Sequence, residues 1–165
     1  MIPQRLNIWR VEKEVFVPSA RTGEGARIVG GRWNSPGLAA IYCAESLALA
    51  VLEILVHAAT VEERADPRVW FKITLPEVGC RSLPLKRLPK NWNDPLIHPE
   101  TVSMGDQWLR AKTSVALRVP SAVVPGAWNI ILNPQHPEFR KLVRWAVPKP
   151  LQIDARLIES APGRA

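Results

Sequence analysis

The sequence predicts a single α/β domain. Its 165 residues match the usual length of one domain with a sizeable core. Segments 69–75 and 128–132 are rich in β-branched and aromatic residues, as strands are. Segment 47–56 is apolar except for Glu53 and is preceded by a helix-capping serine, which is typical of a helix. Strand and helix patterns therefore occur together in one chain.

The composition is that of a globular protein with unusual contents of proline and tryptophan. Hydrophobic residues make up 47% and charged residues 22%, whereas 16 prolines indicate long ordered loops and seven tryptophans indicate bulky core anchors. Two cysteines are too few for a disulfide framework. The start of the chain has no apolar signal core, and no apolar run reaches membrane-spanning length. We therefore expect a cytoplasmic protein that does not enter a membrane.

The net charge of +7 and the pI near 10.0 indicate an anionic partner, such as a nucleic acid, a nucleotide or an acidic protein segment. The basic residues are scattered, apart from a modest cluster at Lys86, Arg87 and Lys90, and aromatic residues do not alternate with them. We therefore expect no direct binding of nucleic acid. A basic nucleic-acid-binding module without catalysis remains an alternative.

The first predicted strand spans 6–11 and contains Arg10, which could be only a solvated strand residue. Segment 12–28 contains proline and glycine and is predicted to be a loop with at most a short helix. The pair Gly30-Gly31 then allows the backbone to pass close to another group just before Arg32.

A turn is predicted at Ser35-Pro36-Gly37, where it would join two short strands. The second strand, 39–43, carries the phenol of Tyr42. In a tight hairpin, Arg32 would share a strand face with Ile41 while Tyr42 pointed to the other face. A bulge or a wider loop would bring Arg32 and Tyr42 together.

The predicted helix 47–56, with Ser46 as its N-cap, is apolar on every face and should be buried all round. Its only ionisable residue is Glu53. An unpaired carboxylate is costly to bury, so Glu53 must either find a partner or open onto a polar cavity. It could form a salt bridge with a core arginine, or it could be a carboxylate of a functional site.

The second half of the chain also contains both predicted strands and predicted helices. Segment 83–100 is proline-rich and is predicted to be an irregular loop that could wall a cleft or meet a partner. A capping box of Ser103 to Asp106 predicts a helix through residue 110. Further predicted elements are strands at 69–75, 114–119, 128–132 and 151–157 and a helix at 139–145.

Ser121 follows Pro120 at the break after the predicted strand 114–119, where backbone groups are free. It could be a turn serine or a group of the site. His57, His98 and His136 have no metal-ligand spacing, so no metal is expected. The sequence also lacks a phosphate-binding P-loop, a dinucleotide glycine fingerprint and a nucleophile elbow, which argues against P-loop nucleotide-binding proteins, Rossmann-type dinucleotide-binding proteins and serine hydrolases.

The remaining candidates are arginine, tyrosine and glutamate at close spacing, with a serine farther along. An arginine fork binds a pyrophosphate, an aromatic ring stacks on a flat heterocycle, and a buried carboxylate stabilises positive charge on a sugar ring. Cleavage of an N-glycosidic bond in a dinucleotide requires these three functions.

These residues lie in segments that resemble the RES domain toxins, a family named for arginine, glutamate and serine. The order and spacing of the segments are specific, although each is short. The resemblance is carried by GGRWN at 30–34, AIYCAES at 40–46, LEILVH at 52–57, GDQWL at 105–109, VPSAVVP at 119–125, NIILNPQHP at 129–137 and DARL at 154–157.

The resemblance implies one RES domain over 1–165, with a core at about 6–157 and a tail at 158–165. It implies an ADP-ribosyltransferase-like split mixed sheet with flanking helices that binds NAD, as substrate, across a cleft. It also implies a toxin of a bacterial type II toxin–antitoxin pair that degrades NAD by hydrolysis or phosphorolysis of the nicotinamide–ribose bond. Mono-ADP-ribosylation of a protein target is an alternative, and the acceptor can be water, inorganic phosphate or a protein side chain.

Carried over by position, Arg32, Tyr42, Glu53 and Ser121 are the signature residues, and Arg10 matches a further arginine. The expected roles are pyrophosphate binding by Arg32 and Arg10, stacking of Tyr42 near the nicotinamide, stabilisation of an oxocarbenium-like ribose by Glu53, and orientation of the carboxamide by Ser121. The implied partner is an Xre-type helix-turn-helix antitoxin that closes the cleft with an acidic group. A homodimer within that complex is left open.

Overall fold

The computed structural model describes residues 4–158 and shows a mixed sheet flanked by helices, which confirms the α/β fold class. The tail expected at 158–165 lies outside the described residues, except for residue 158. The strands are β1 Arg5–Lys13, β2 Ile41–Ala44, β3 Arg68–Pro76, β4 Cys80–Ser82, β5 Ala116–Pro120, β6 Trp128–Leu132, β7 Arg144–Trp145 and β8 Lys149–Leu151. The α-helices are α1 Glu24–Val29, α2 Leu47–His57, α3 Val61–Ala65, α4 Pro99–Ala111, α5 Phe139–Leu142 and α6 Ala155–Ile158, and 3-10 helices span Glu14–Ser19, Glu77–Gly79 and Leu85–Arg87.

One sheet contains all eight described strands in the order β4-β5-β6-β2-β1-β3-β7, and β8 pairs with another stretch of β3. The β4–β5 pair is parallel and the other pairs are antiparallel. The long pairing of β1 with β3 and the central pairing of β2 with β6 are built from β-branched and aromatic residues that suit a pleated surface.

The two faces of the sheet are covered by different elements. On one face, Ile8, Cys43, Phe71 and Ile130 pack with residues of the 3-10 helix at 14–19 and of α5. On the other face, α2 packs over β1 and β2, and the buried Trp33 and Trp108 pack over β5 and β6. The five other tryptophans are half-buried. The face covered by α2 is the one that carries the candidate site.

The helix at 47–56 forms as predicted, and the Ser46 hydroxyl caps it by accepting a hydrogen bond from the Leu49 amide at 3.1 Å. Its predicted burial all round is wrong. Only Leu49 and Ala50 are buried, while Leu52 and Val56 are 39% and 63% exposed. The sheet covers one side of α2, and among the described residues nothing covers the other.

The predicted hairpin around residues 35–37 is also wrong. The first strand is absent, and the segment before β2 is a loop with a single bridge between Gly31 and Asn34. Asn34, which is 1% exposed, donates its side-chain amide to the carbonyls of Ala26, Ser35 and Leu38 at 2.8, 3.1 and 3.0 Å. Side-chain hydrogen bonds of this kind replace the strand ladder.

The helix predicted from residue 103 begins earlier, at Pro99, with His98 as its cap. Ser103 is therefore inside α4. The carboxylate of Asp106 is not a capping group, because it accepts hydrogen bonds from the Ser35 amide at 2.8 Å and the Ser35 hydroxyl at 2.7 Å. The hydrogen bonds with Ser35, which is distant in sequence, thus replace the local capping hydrogen bond that the pattern predicts.

Three further predictions near the ends of the chain need correction. Segment 12–28 contains two short helices rather than at most one. The predicted helix 139–145 is the shorter α5 followed by β7, and the predicted strand 151–157 is divided between the end of β8 and α6. Within residues 4–158, no helix has both the length and the apolar character needed to cross a membrane.

Candidate active site

Glu53 is the centre of a hydrogen-bonded group between α2 and the ends of β5 and β6. The side chain is half-buried, and its Oε1 accepts hydrogen bonds from Ser121 Oγ at 2.8 Å and Asn129 Nδ2 at 2.6 Å. Within residues 4–158, Oε2 has no hydrogen bond and Glu53 forms no salt bridge, so the alternative of a salt bridge with a core arginine is not supported. The two donors to Oε1 fix the orientation of the carboxylate and leave Oε2 available to a ligand.

Ser121 is buried in the turn that follows β5. Its hydroxyl oxygen accepts the amide hydrogens of Val123 and Val124, each at 3.0 Å, and its own hydrogen is donated to Glu53. Ser121 is therefore a turn serine that also contacts Glu53. It holds its own turn, and it orients the carboxylate of α2 from an element 68 residues away in sequence.

Asn129, on β6, was not identified from the sequence. It pairs with Ala44 across the sheet, which places it on the same face as Tyr42 and below α2. Its Oδ1 is buried and has no hydrogen-bond partner among residues 4–158, which is rare for a buried polar atom in a folded protein. The one available signal was an asparagine at the start of an apolar strand, where this residue type is depleted.

Tyr42 holds the loop that precedes β2. Its hydroxyl donates to Asn34 Oδ1 at 2.7 Å and accepts the Trp33 amide hydrogen at 3.1 Å. Burial raises the pKa of the Tyr42 phenol, so it stays neutral at physiological pH. A Cβ on Gly31 would lie 2.6 Å from this hydroxyl oxygen, which explains the close backbone approach that the sequence predicts there.

Arg32 lies near Glu53 and anchors the proline-rich loop. Its Nη1 donates to the backbone carbonyl of Trp92, and its Nη2 donates to that of Asp94 at 2.8 Å. The Trp92 ring also packs against Trp33, with centroids 6.4 Å apart. Partial burial lowers the pKa of the Arg32 guanidinium, and the nearby charge of Glu53 opposes this shift. Arg32 therefore ties the loop to the site.

Arg10 is not brought together with Glu53 and Ser121. Its neighbour Trp9 pairs with Ala44 and points toward α2, so Arg10 points to the opposite face of the sheet. There it donates to the Tyr42 carbonyl at 2.9 Å and pairs with Glu12. Its role in binding pyrophosphate remains a prediction.

A cleft of about 460 Å³ opens beside this group of residues. One wall is the loop at 85–93 and the other is the turn at 120–128. Ser121 lines the cleft and donates a hydrogen bond to Glu53. We call this space the loop cleft. Within residues 4–158, no three His, Cys, Asp or Glu side chains are grouped so that they could hold a metal ion.

Comparison with known proteins gives matches over most of the chain. The RES domain family matches residues 7–154. A protein named Toxin Res from Photorhabdus laumondii is 37% identical, and the alignment covers 93% of this chain and 97% of that protein. A Toxin Res from Yersinia enterocolitica is 35% identical over 91% of this chain and 98% of its own length.

One further relative and one solved structure extend the comparison. The Prs ADP-ribosylating toxin of a Sphingobium strain is 32% identical, over 94% of this chain and 98% of that protein. The fold is similar to a chain of the M. tuberculosis MbcT–MbcA toxin–antitoxin complex, with a TM-score of 0.72, 21% identity and coverage of 91% and 86% of the two chains. The family resemblance seen in the sequence is confirmed, and the chain belongs to the RES domain family.

Proposed function

We propose that this protein is the toxin of a bacterial toxin–antitoxin pair and that it degrades NAD by cleaving the nicotinamide–ribose bond. The observation that carries the proposal is the carboxylate of Glu53, with one oxygen fixed by Ser121 and Asn129 and the other available. A preorganised negative charge is what a developing cation on a sugar requires. The names of the relatives support the toxin function.

In the proposed reaction the bond between ribose C1′ and the nicotinamide nitrogen breaks, and its electron pair leaves with nicotinamide. Positive charge then develops on the ribose, where the available oxygen of Glu53 stabilises it and accepts a hydrogen bond from a ribose hydroxyl. Water attacks C1′ and releases a proton to the solvent, which completes hydrolysis, or inorganic phosphate attacks C1′, which completes phosphorolysis. NAD is the substrate, and the proposal uses no metal.

The other signature residues act around this carboxylate. Ser121 was expected to orient the carboxamide, but its single hydrogen is donated to Glu53, which favours a positioning role. The Tyr42 hydroxyl is occupied by its hydrogen bonds with Trp33 and Asn34. The ring of Tyr42 is then the part that stacks near the nicotinamide. Arg32 donates to the carbonyls of Trp92 and Asp94 and so anchors the loop at 85–93. It would have to give up one of these hydrogen bonds in order to contact the pyrophosphate directly.

A second candidate function is mono-ADP-ribosylation of a protein target. The named activity of the Sphingobium relative favours it. Transfer to a protein side chain uses the same activated C1′, so the residues around Glu53 serve either outcome. Mass spectrometry of cellular proteins after expression would reveal ADP-ribose on a target, whereas NAD degradation leaves free ADP-ribose or its phosphate.

We further propose an antitoxin partner of the Xre type, acting in the cytoplasm, with a homodimer of the toxin as one arrangement of the complex. The similarity to a toxin–antitoxin complex supports a partner. The exposed apolar residues Leu52 and Val56 on α2, beside Glu53, also support one. An acidic group of the antitoxin would be drawn to the basic protein and to Arg32.

The test of the pair is expression in bacteria. Expression of this chain alone should arrest growth and lower cellular NAD, and co-expression of the protein encoded beside it should restore both. A protein that is harmless in cells while active on NAD in vitro would contradict the toxin function. A neighbour that binds without lowering NAD turnover would contradict the antitoxin.

Replacing Asn129 with Ala should lower kcat for NAD by about 10-fold and leave KM nearly unchanged, because Glu53 loses one of its two donors. The unpartnered Oδ1 is removed by the same change, so we expect little change in the free energy of unfolding. In a Glu53→Gln background, Asn129→Ala should cause no further loss. Equal losses in both backgrounds would show that Asn129 does not act through Glu53.

A further inference from the structure

The loop cleft has the composition of a nucleotide site. Its two aromatic side chains are Trp92 on the loop wall and Trp128 on the opposite wall, and Lys90 is the only charged residue among the described residues that line it. Indole rings are good stacking surfaces for a base, and a lysine is a point charge for a phosphate. The volume of about 460 Å³ lies within the usual range of ligand pockets, roughly 300–1,000 Å³.

Other residues hold both tryptophans of the loop cleft in place. Trp92 is held through its carbonyl by Arg32 and through its ring by Trp33. The Trp128 amide donates to Glu45 Oε1 at 2.9 Å, and the guanidinium of Arg118 lies 4.5 Å from the Trp128 ring centroid. Such preorganisation lowers the cost of binding a ligand between the walls.

The charge of the cleft selects one half of NAD. The nicotinamide ring of NAD is cationic and its diphosphate is anionic. Lys90 therefore disfavours the nicotinamide end and favours the diphosphate and the adenosine beyond it. Ser121 lines the cleft and contacts Glu53, so a ribose at Glu53 would place the rest of the dinucleotide within reach of this space.

We infer that the loop cleft binds the adenosine diphosphate half of NAD, with Lys90 at the diphosphate and Trp92 and Trp128 against the adenine. The inference rests on the proposed reaction at Glu53. It gives the 83–98 loop a role in substrate specificity, and it gives Arg32 a positioning role as the anchor of the wall that carries Lys90 and Trp92.

The test compares two substrates that share the reacting bond. NAD contains the adenosine diphosphate half, and nicotinamide riboside lacks it. Lys90→Gln and Trp92→Ala should each raise KM for NAD by about 10-fold, the size expected for one lost stacking or charge contact. Neither change should alter kcat/KM for nicotinamide riboside. Lys86→Gln, on the same loop but outside the cleft lining, is the matched control and should behave as the wild type.

Calorimetric titration with ADP separates this inference from the proposed reaction. The wild type and Lys86→Gln should bind ADP, and Lys90→Gln and Trp92→Ala should bind it about 10-fold more weakly. Equal binding of ADP by all four proteins would overturn the assignment of the loop cleft. Equal losses of kcat/KM for NAD and for nicotinamide riboside in Lys90→Gln and Trp92→Ala would overturn it as well. ADP binding that depends on Lys90 and Trp92, without any NAD turnover, would support the assignment and overturn the proposed reaction.

Discussion

Glu53→Gln should lower NAD turnover by about 100-fold or more, because it removes the charge that stabilises the ribose cation. The substitution keeps the shape of the side chain. A glutamine Oε1 can still accept the hydrogen bonds that Ser121 Oγ and Asn129 Nδ2 donate to Glu53. The loss should therefore appear in kcat with the fold intact, and steady-state kinetics with NAD would measure it.

The matched control is Glu77→Gln, which neutralises an exposed carboxylate away from the site and should leave turnover unchanged. A half-buried carboxylate placed for function is a liability to folding, so Glu53→Gln should keep or raise the melting temperature. Near-full turnover by a folded Glu53→Gln protein would show that the assignment is wrong. A large loss of stability would show that Glu53 is mainly structural.

Gly105→Ala should destabilise the protein by about 3 kcal/mol or more and lower the melting temperature by roughly 10 °C. Gly105 is buried in α4, and a Cβ there would lie 1.8 Å from the carbonyl oxygen of Trp33. The helix would have to move away from the loop that carries Arg32. Thermal denaturation followed by circular dichroism would measure the change, and turnover should fall with it.

Gly25→Ala is the control for this substitution. Gly25 lies in α1, and no atom outside its chain neighbours and the backbone of its own helix lies within 4 Å of an added Cβ, so alanine should stabilise the helix by about 0.5–1 kcal/mol. If both alanines changed stability equally, the close packing of α4 against the Trp33 loop would not explain the glycine at 105.

The sequence predicted the parts of the site that depend on local pattern. The capping serine and apolar run of α2 predicted the helix, and an isolated carboxylate in that run predicted a special role for Glu53. The partners of Glu53 could not be derived in this way. Ser121 and Asn129 are 68 and 76 residues away from it, and a strand order that no local pattern specifies brings them together.

Two of the failed predictions, the hairpin and the capping box, have the same physical origin. Pro36-Gly37 is a sound turn signal, but Asn34 and Tyr42 hold the preceding segment as a loop through side-chain hydrogen bonds. Asp106 fits a capping pattern by spacing, yet its carboxylate binds Ser35. In each case a side-chain hydrogen bond displaced the predicted local structure, with partners four and eight residues away for Asn34 and 71 residues away for Asp106.

The central claim is that the protein breaks the nicotinamide–ribose bond of NAD. The most direct measurement is to incubate the purified protein with NAD, with and without inorganic phosphate, and to identify the products by mass. We predict free nicotinamide together with ADP-ribose, or together with phosphorylated ADP-ribose when phosphate is the acceptor. NAD that remains intact with a folded protein under both conditions would contradict the account.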